Sequence, residues 1–251
     1  MKKKEYKDTN EKVVLVLPVF NEGKSIYDLL CNINKSINCD IRIIIVDDKS
    51  TDDSFIWIKE FLEENNRLKV EVISHKKNLG LGGAINSGLH YCLNNLNFKV
   101  LVTMDGDNTH NPLLIPKMIR EIESGKDVVI ASRYRKDASV IGIPKYRMFL
   151  SFGARVCYSI FWNYKGVRDY TCLYRAYSYN ILKKSFPKSK KDLLKEKGFL
   201  ASTELLRVVF KSGAVFSELP IIINYSNKFQ ASSMKIFKTI LSTLRVLIIK
   251  N

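Results

Sequence analysis

The sequence predicts an α/β fold: an open, mostly parallel sheet with helices on both faces. Three observations predict it. Five short, β-branched runs are mostly apolar on both faces, as strands covered on both sides are. Amphipathic stretches with helical spacing separate them. Polar clusters follow three of the runs directly, where the ligands of such sheets bind.

The elements follow in order. Val13 to Pro18 is the first strand. Ser25 to Ile37 places Ile26, Leu29, Leu30, Ile33 and Ile37 on one helical face. Ile41 to Val46 is the second strand, and Asp53 to Glu64 is a helix carrying Phe55, Ile58 and Leu62. Leu68 to Ile73 alternates and forms the third strand. Gly82 to Leu93 is helical through Ile85, Leu89 and Leu93. Val100 to Met104 is the fourth strand. Pro112 to Ser124 is a helix with Asn111 as its cap. Val128 to Ala131 is the fifth strand. This β-α alternation selects the open sheet over a helical bundle or a sandwich.

After residue 132 the pattern changes. Residues 145–164 mix cations with aromatic side chains and read as an interfacial helix pair. Lys183 to Lys197 is lysine-rich and reads as an exposed loop. Ala201 to Lys211 is a helix, and Val215 to Tyr225 holds one or two strands around Pro220. Ser233 to Ile249 has helical spacing. The expected organisation is a flexible segment 1–12, a main domain 13–235 and an amphipathic C-terminal helix 236–251. The main domain divides into a donor-binding half, 13–132, and an acceptor half, 133–235.

The chain has 251 residues, of which 46% are apolar and 26% charged, enough for a real core. It lacks a run of 18 apolar residues and shows no signal-peptide pattern. Cysteines 31, 39, 92, 157 and 172 are scattered without a C-x-x-C pair. They argue against a disulfide framework or zinc site and suit a reducing, cytoplasmic setting. The net charge is +16, carried unevenly: residues 1–132 sum to −1 and residues 133–251 to +17. The second half therefore faces something anionic, or carries its lysines for solubility.

The polar clusters suggest chemistry. Asp105-Gly106-Asp107 offers two hard carboxylates at one strand end, suited to Mg2+ or Mn2+; the alternative is an Asx-rich turn. Asp47-Asp48 suits a base or ribose, or helix capping. Ser50 to Asp52 is expected to be mostly structural. Phe20 offers a stacking face, and Glu22 a carboxylate or a first-turn helix charge. The glycines of Asn78 to Ala84 have the wrong spacing for a dinucleotide fingerprint and lack the G-K-[ST] of a phosphate loop. They mark either a close approach to a diphosphate or sugar, or a tight turn.

Taken in order, P-V-F-N-E (18–22), V-D-D-K-S-T-D (46–52), N-L-G-L-G-G-A (78–84), D-G-D-N-T-H (105–110) and A-S-R-Y (131–134) resemble family 2 glycosyltransferases of the GT-A, Rossmann-like fold. Within that family the chain is most similar to dolichyl- or polyprenyl-phosphate sugar synthases, over residues 13–235. The resemblance implies an inverting, metal-dependent hexosyltransferase. Pro18, Phe20, Asn21, Glu22, Val46, Asp48, Met104, Asp105 and Gly106 would contact the nucleotide-sugar donor, of GDP-mannose or UDP-glucose type, and Lys228 would join them from the late motif. Asp105, Asp107 and Thr109 would hold Mg2+ or Mn2+, with Thr109 at a position usually Gln or Ser. Asp107, Arg133 and Arg175 would be catalytic. The acceptor-side stretch Asp169 to Arg175 has Cys172-Leu173 where the family usually has Ser-Gly. The late motif has Lys228 for Arg and Ala231 for Gly.

A lipid phosphate acceptor is already anionic near neutral pH, so it needs cations rather than a base. A sugar hydroxyl acceptor would need a carboxylate base, for which Asp169 and Glu204 are the late candidates. The expected partners are the nucleotide sugar, a polyprenyl or dolichyl phosphate, an anionic membrane surface on its cytoplasmic face and a small membrane protein. No nucleic-acid motif is present. The rival readings are transfer to a sugar hydroxyl in polysaccharide or lipid-linked oligosaccharide synthesis, and nucleotide-sugar or lipid binding without turnover.

Overall fold

The computed structural model describes residues 13–142, 145–187 and 194–225. The first half alternates as the sequence predicts: β1 (Val13–Val19), α1 (Lys24–Ser36), β2 (Ile41–Asp47), α2 (Ser54–Glu64), β3 (Lys69–Ser74), α3 (Gly80–Asn95), β4 (Val100–Thr103), a 3-10 turn (Pro112–Leu114) running into α4 (Ile115–Glu123), and β5 (Val128–Ser132). The second half adds β6 (Ser139–Ile141), α5 (Lys145–Trp162), β7 (Arg175–Ser178), α6 (Tyr179–Ser185), α7 (Leu200–Lys211), β8 (Phe216–Pro220) and β9 (Ile222–Asn224).

Seven strands form one sheet in the order β3-β2-β1-β4-β7-β5-β8. All its pairings are parallel except the two made by β7. A second, two-stranded sheet pairs β6 with β9. Every residue of β1, β4 and β5 is buried, which explains their unbroken apolar runs. Strand β3 lies at the edge, and its alternation reflects partial exposure.

Two expectations are corrected. Residues 145–164 hold one long helix, not a pair. Its Tyr158 and Trp162 are buried in an aromatic cluster with Tyr164 and Tyr170, while Met148, Phe152, Val156 and Ile160 are exposed at four-residue spacing. The aromatic richness thus serves both core and surface. Strand β7 was not expected at all. It inserts antiparallel between β4 and β5, and Arg175, Ala176 and Tyr177 are fully buried. A four-residue strand opening with arginine and ending in serine has no apolar periodicity to betray it.

Part of the lysine-rich stretch, expected as loop, belongs to α6. The segment 1–12, the helix expected at 236–251 and Lys228 lie outside the described residues. Among the described residues no helix is long and apolar enough to cross a membrane.

Candidate active site

Strands β2, β1 and β4 are neighbours, so the polar clusters at their carboxyl ends share one edge. The loops are stitched together there. The Asp48 amide donates to the Val19 carbonyl at 2.8 Å. The Asn21 amide donates to Ser50 Oγ at 3.0 Å, and Asn21 Oδ1 accepts from the Thr51 amide at 2.7 Å. The Glu22 amide donates to Ser54 Oγ at 2.8 Å. Asn21 and Ser50 to Asp52 therefore build the scaffold of this edge, as expected for the latter. A Cβ on Gly106 would lie 3.0 Å from the Pro18 carbonyl, so the Asp-Gly-Asp turn packs directly on the end of β1. Phe20 is 39% exposed, leaving its ring accessible for stacking. Val46 and Met104 are fully buried, backbone as well as side chain, so the expectation that they touch the donor is corrected: they pack beneath this edge.

Asp48 is turned inward. Its Oδ1 lies 2.6 Å from His75 Nδ1 and accepts from the Leu79 amide at 2.8 Å, while Oδ2 accepts from the Gly80 amide at 2.7 Å. His75 is held in turn by Ser87 Oγ at 2.8 Å from Nε2. The carboxylate thus caps α3, satisfying amides that a helix start leaves unpaired. The glycines approach backbone of this same chain: a Cβ on Gly82 would sit 1.8 Å from the Glu196 carbonyl, and the Gly82 amide donates to the Lys197 carbonyl. Their spacing reflects that crossing, and Gly80 also needs its φ of 76°. Sequence reading did not flag His75. A histidine at the end of β3, opposite Asp47-Asp48, was the available signal.

Beyond β4, Asp107 is buried and its Oδ1 accepts from the Thr109 hydroxyl at 2.6 Å and the Thr109 amide at 3.2 Å. Thr109 therefore orients Asp107 from behind. His110 Nδ1 lies 3.6 Å from Asp105 Oδ2, and its ring stacks on Tyr174. Behind this turn lies a polar cavity of about 340 Å³, lined by Asn32, Ser36 and Asn108 to Pro112 together with Ile222 and Asn224.

Arg133, at the end of β5, is gripped by Asp169. Its Nε and Nη2 donate to Oδ2 and Oδ1 at 2.8 and 2.7 Å, and its amide donates to Oδ2 at 3.0 Å. Burial pushes the Asp169 acid up, but the Arg133 charge and hydrogen bonds outweigh it and leave it at about 2. Arg175 also draws it down. Arg175 itself has no exposed surface and donates to the Ser202 and Tyr170 carbonyls at 2.5 and 2.9 Å. The expectation that Arg175 meets an acceptor is corrected: it is an internal brace for the segment that carries Asp169.

Tyr225, which the sequence did not single out, senses charges from both sides of this edge. Burial raises its phenol, Arg133 lowers it, and both Asp105 and Asp107 raise it. All three charged groups therefore lie within electrostatic reach of one hydroxyl. Cys172 is buried close by, and burial pushes its thiol up to about 12, so it is no nucleophile.

Neither late carboxylate is placed as a base. Asp169 is fully buried against Arg133. Glu204 Oε2 accepts from the amides of Lys195 and Glu196 at 2.8 Å each, holding the strand of chain on which Gly82 packs.

The model of the family described as glycosyl transferase family 2 matches residues 14–186. The chain belongs to this family. It is therefore a glycosyltransferase, and its fold is GT-A. It is 35% identical over 144 residues to a dolichol-phosphate mannosyltransferase of Pyrococcus furiosus, covering 57% of this chain but only 39% of that protein. It is 28% identical over 214 residues to a polyprenol monophosphomannose synthase of Mycolicibacterium smegmatis, covering 84% and 77%. Among solved structures, glucosyl-3-phosphoglycerate synthase from Mycobacterium tuberculosis, in complex with Mn2+, UDP and glucosyl-3-phosphoglycerate, superposes with a TM-score of 0.64 at 18% identity, covering 95% of this chain and 78% of that one. That likeness is one of fold.

The donor set also bears on a metal. Among the described residues no three His, Cys, Asp or Glu side chains gather to hold an ion alone. Asp105 and Asp107 are hard oxygen donors on one turn, and Mg2+ characteristically binds through one or two carboxylates with waters and substrate phosphates completing its shell. These residues fit an ion completed by a diphosphate.

Proposed function

We propose that this glycosyltransferase moves a hexose from a nucleotide diphosphate sugar, of GDP-mannose or UDP-glucose type, to a polyprenyl or dolichyl phosphate at a membrane surface, inverting the anomeric carbon. The observation that carries the reading is that the Asp105–Asp107 turn follows β4 and Arg133 follows β5 at the same end of the sheet, one strand apart across β7, and all three charges bear on the Tyr225 phenol. An acidic turn suited to a cation and its diphosphate lies beside a cation suited to a phosphate.

The reading assigns the following roles. Phe20 stacks on the base and Glu22 lines the nucleoside, while the buried Pro18, Val46 and Met104 support that wall from beneath. Asp48 sets that wall by holding His75 and the start of α3. Mg2+ or Mn2+ held by Asp105 and Asp107 would supply Lewis acidity toward the leaving diphosphate, with Thr109 orienting Asp107. Arg133, fixed by Asp169, offers its remaining guanidinium edge to the acceptor phosphate. The acceptor oxygen bonds to the anomeric carbon as the carbon–oxygen bond to the diphosphate breaks. No base is required, because a phosphate monoester loses its second proton near pH 6. Engagement of both Asp169 and Glu204 favours this acceptor over a sugar hydroxyl.

The exposed stripe of α5 and the +17 charge of residues 133–251 support docking on an anionic bilayer surface. Incubation with membrane lipid extract and labelled nucleotide sugars tests the whole reading. Label in a mild-acid-labile lipid is expected. Label found only in polysaccharide would favour the hydroxyl acceptor instead.

A further inference from the structure

With Arg175 buried, the acceptor side has one fewer cation than the sequence suggests, and the structure points to another. Tyr134 follows Arg133 directly. The Arg133 guanidinium lies 5.6 Å from the Tyr134 ring centroid, and that of Arg155, on α5, lies 4.7 Å from it. The Tyr134 hydroxyl is tied to α5 as well, donating to the Ser151 carbonyl at 3.0 Å with Ser151 Oγ at 2.9 Å. Ser151 and Arg155 are one helical turn apart, so they share the face of α5 that meets Tyr134.

The charges on this patch do not balance. Asp169 pairs with Arg133 through Nε and Nη2, leaving the Nη1 side of that guanidinium without a hydrogen-bond partner among the described residues. Arg155 pairs with no carboxylate among the described residues. Its guanidinium meets the rings of Tyr134 and Phe152. A guanidinium lying over a ring keeps its N–H edge directed outward, where it can bind an anion bidentately. Two such groups held against one phenol ring suit a dianion with several acceptor oxygens. Phe152 belongs to the exposed apolar stripe, so the second cation stands at the root of that stripe.

We propose that Arg155 is a second arm that grips the acceptor's phosphate monoester, and that Tyr134 is the positioning residue that holds it beside Arg133. This rests on the phosphate-acceptor reading above and adds a residue that sequence reading left out. The phosphate has two possible sources, an isoprenyl lipid or a soluble phosphorylated metabolite.

The test uses the full chain with Arg155→Ala, Arg155→Lys and Tyr134→Leu. Binding of farnesyl phosphate, farnesol, 3-phosphoglycerate and inorganic phosphate is measured by calorimetry, together with UDP and GDP as donor-side controls. Wild type is expected to bind farnesyl phosphate better than farnesol. Arg155→Ala should weaken farnesyl phosphate binding at least tenfold and leave nucleotide affinity unchanged, with Arg155→Lys intermediate. In turnover, acceptor KM should rise in Arg155→Ala while donor KM stays. Tyr134→Leu should show the same split more weakly. Equal affinity for 3-phosphoglycerate would make the source a soluble phosphate. Unchanged farnesyl phosphate affinity in Arg155→Ala, with transfer to it intact, overturns the Arg155 assignment alone. A wild-type chain that binds none of the phosphates but glycosylates a sugar hydroxyl overturns the acceptor reading as well.

Discussion

Asp48 Oδ2 accepts a hydrogen bond from the Gly80 amide at 2.7 Å, so the end of β2 holds the first residue of α3. Two segments that read as separate motifs, one suited to a nucleoside and one rich in glycine, are a single unit. Its carboxylate is satisfied by two amides and an imidazole.

Replacing that carboxylate with an amide should disturb both functions of the unit. In Asp48→Asn an NH2 group confronts a donor, which costs about 1–3 kcal/mol in stability. Nucleotide affinity should fall at least tenfold. Urea denaturation and calorimetric titration check the two effects, and an unchanged unfolding midpoint would contradict the capping role.

Arg175 and Arg133 should separate cleanly. Arg175→Ala leaves the Ser202 and Tyr170 carbonyls and the nearby Asp169 charge under-compensated, a loss of roughly 3–5 kcal/mol for a broken buried charge. The protein that still folds should keep its acceptor KM. Arg133→Ala should raise acceptor KM. A raised acceptor KM in folded Arg175→Ala would restore a direct role.

Asp169 makes stability depend on pH in acid. Its folded pKa of about 2 lies below the ordinary 3.8, so its stabilising contribution is complete above about pH 4 and is lost as pH falls toward 2. The amount is about 2 kcal/mol. Urea unfolding at successive pH values between 5 and 2 should show this slope, and it should be shallower in Asp169→Asn.

Asp107→Ala removes a carboxylate that Thr109 holds in place and that the proposed reaction uses. Transfer should fall roughly 10²–10³-fold, the usual loss when one transition-state contact is deleted. Nucleotide binding measured in EDTA should persist. Full activity in the variant would remove Asp107 from the reaction.

The α5 stripe can be tested without turnover. Ile160 is 72% exposed, so Ile160→Glu should leave the fold intact. Co-sedimentation with vesicles containing phosphatidylserine should drop several-fold in Phe152→Glu and Ile160→Glu. Equal sedimentation of wild type and variants would place the membrane contact elsewhere.

Much of the first half was legible because its signals are local. β-branched runs, helical spacing and an Asn cap act within a turn or two, so β1 to β5 and α1 to α4 appear with ends shifted by no more than three residues, the largest shift being the 3-10 turn that opens α4. The shared edge of the acidic clusters also follows, since parallel strands carry their carboxyl ends together. Strand β7 was hidden because a charged residue opens it and its neighbours pair with it from far along the chain.

From the order of its apolar runs and the polar residues that follow them, the chain by itself determines an α/β sheet with an acidic edge at the carboxyl ends of its strands. Only the tertiary structure decides what each charge does there. Arg133, Arg155 and Arg175 are alike in sequence. One is clamped by Asp169, one rests on Tyr134, and one is sealed inside the sheet. The physical reason is that a charge takes its role from its solvent exposure and its partners, and those partners come from distant segments that only folding brings together.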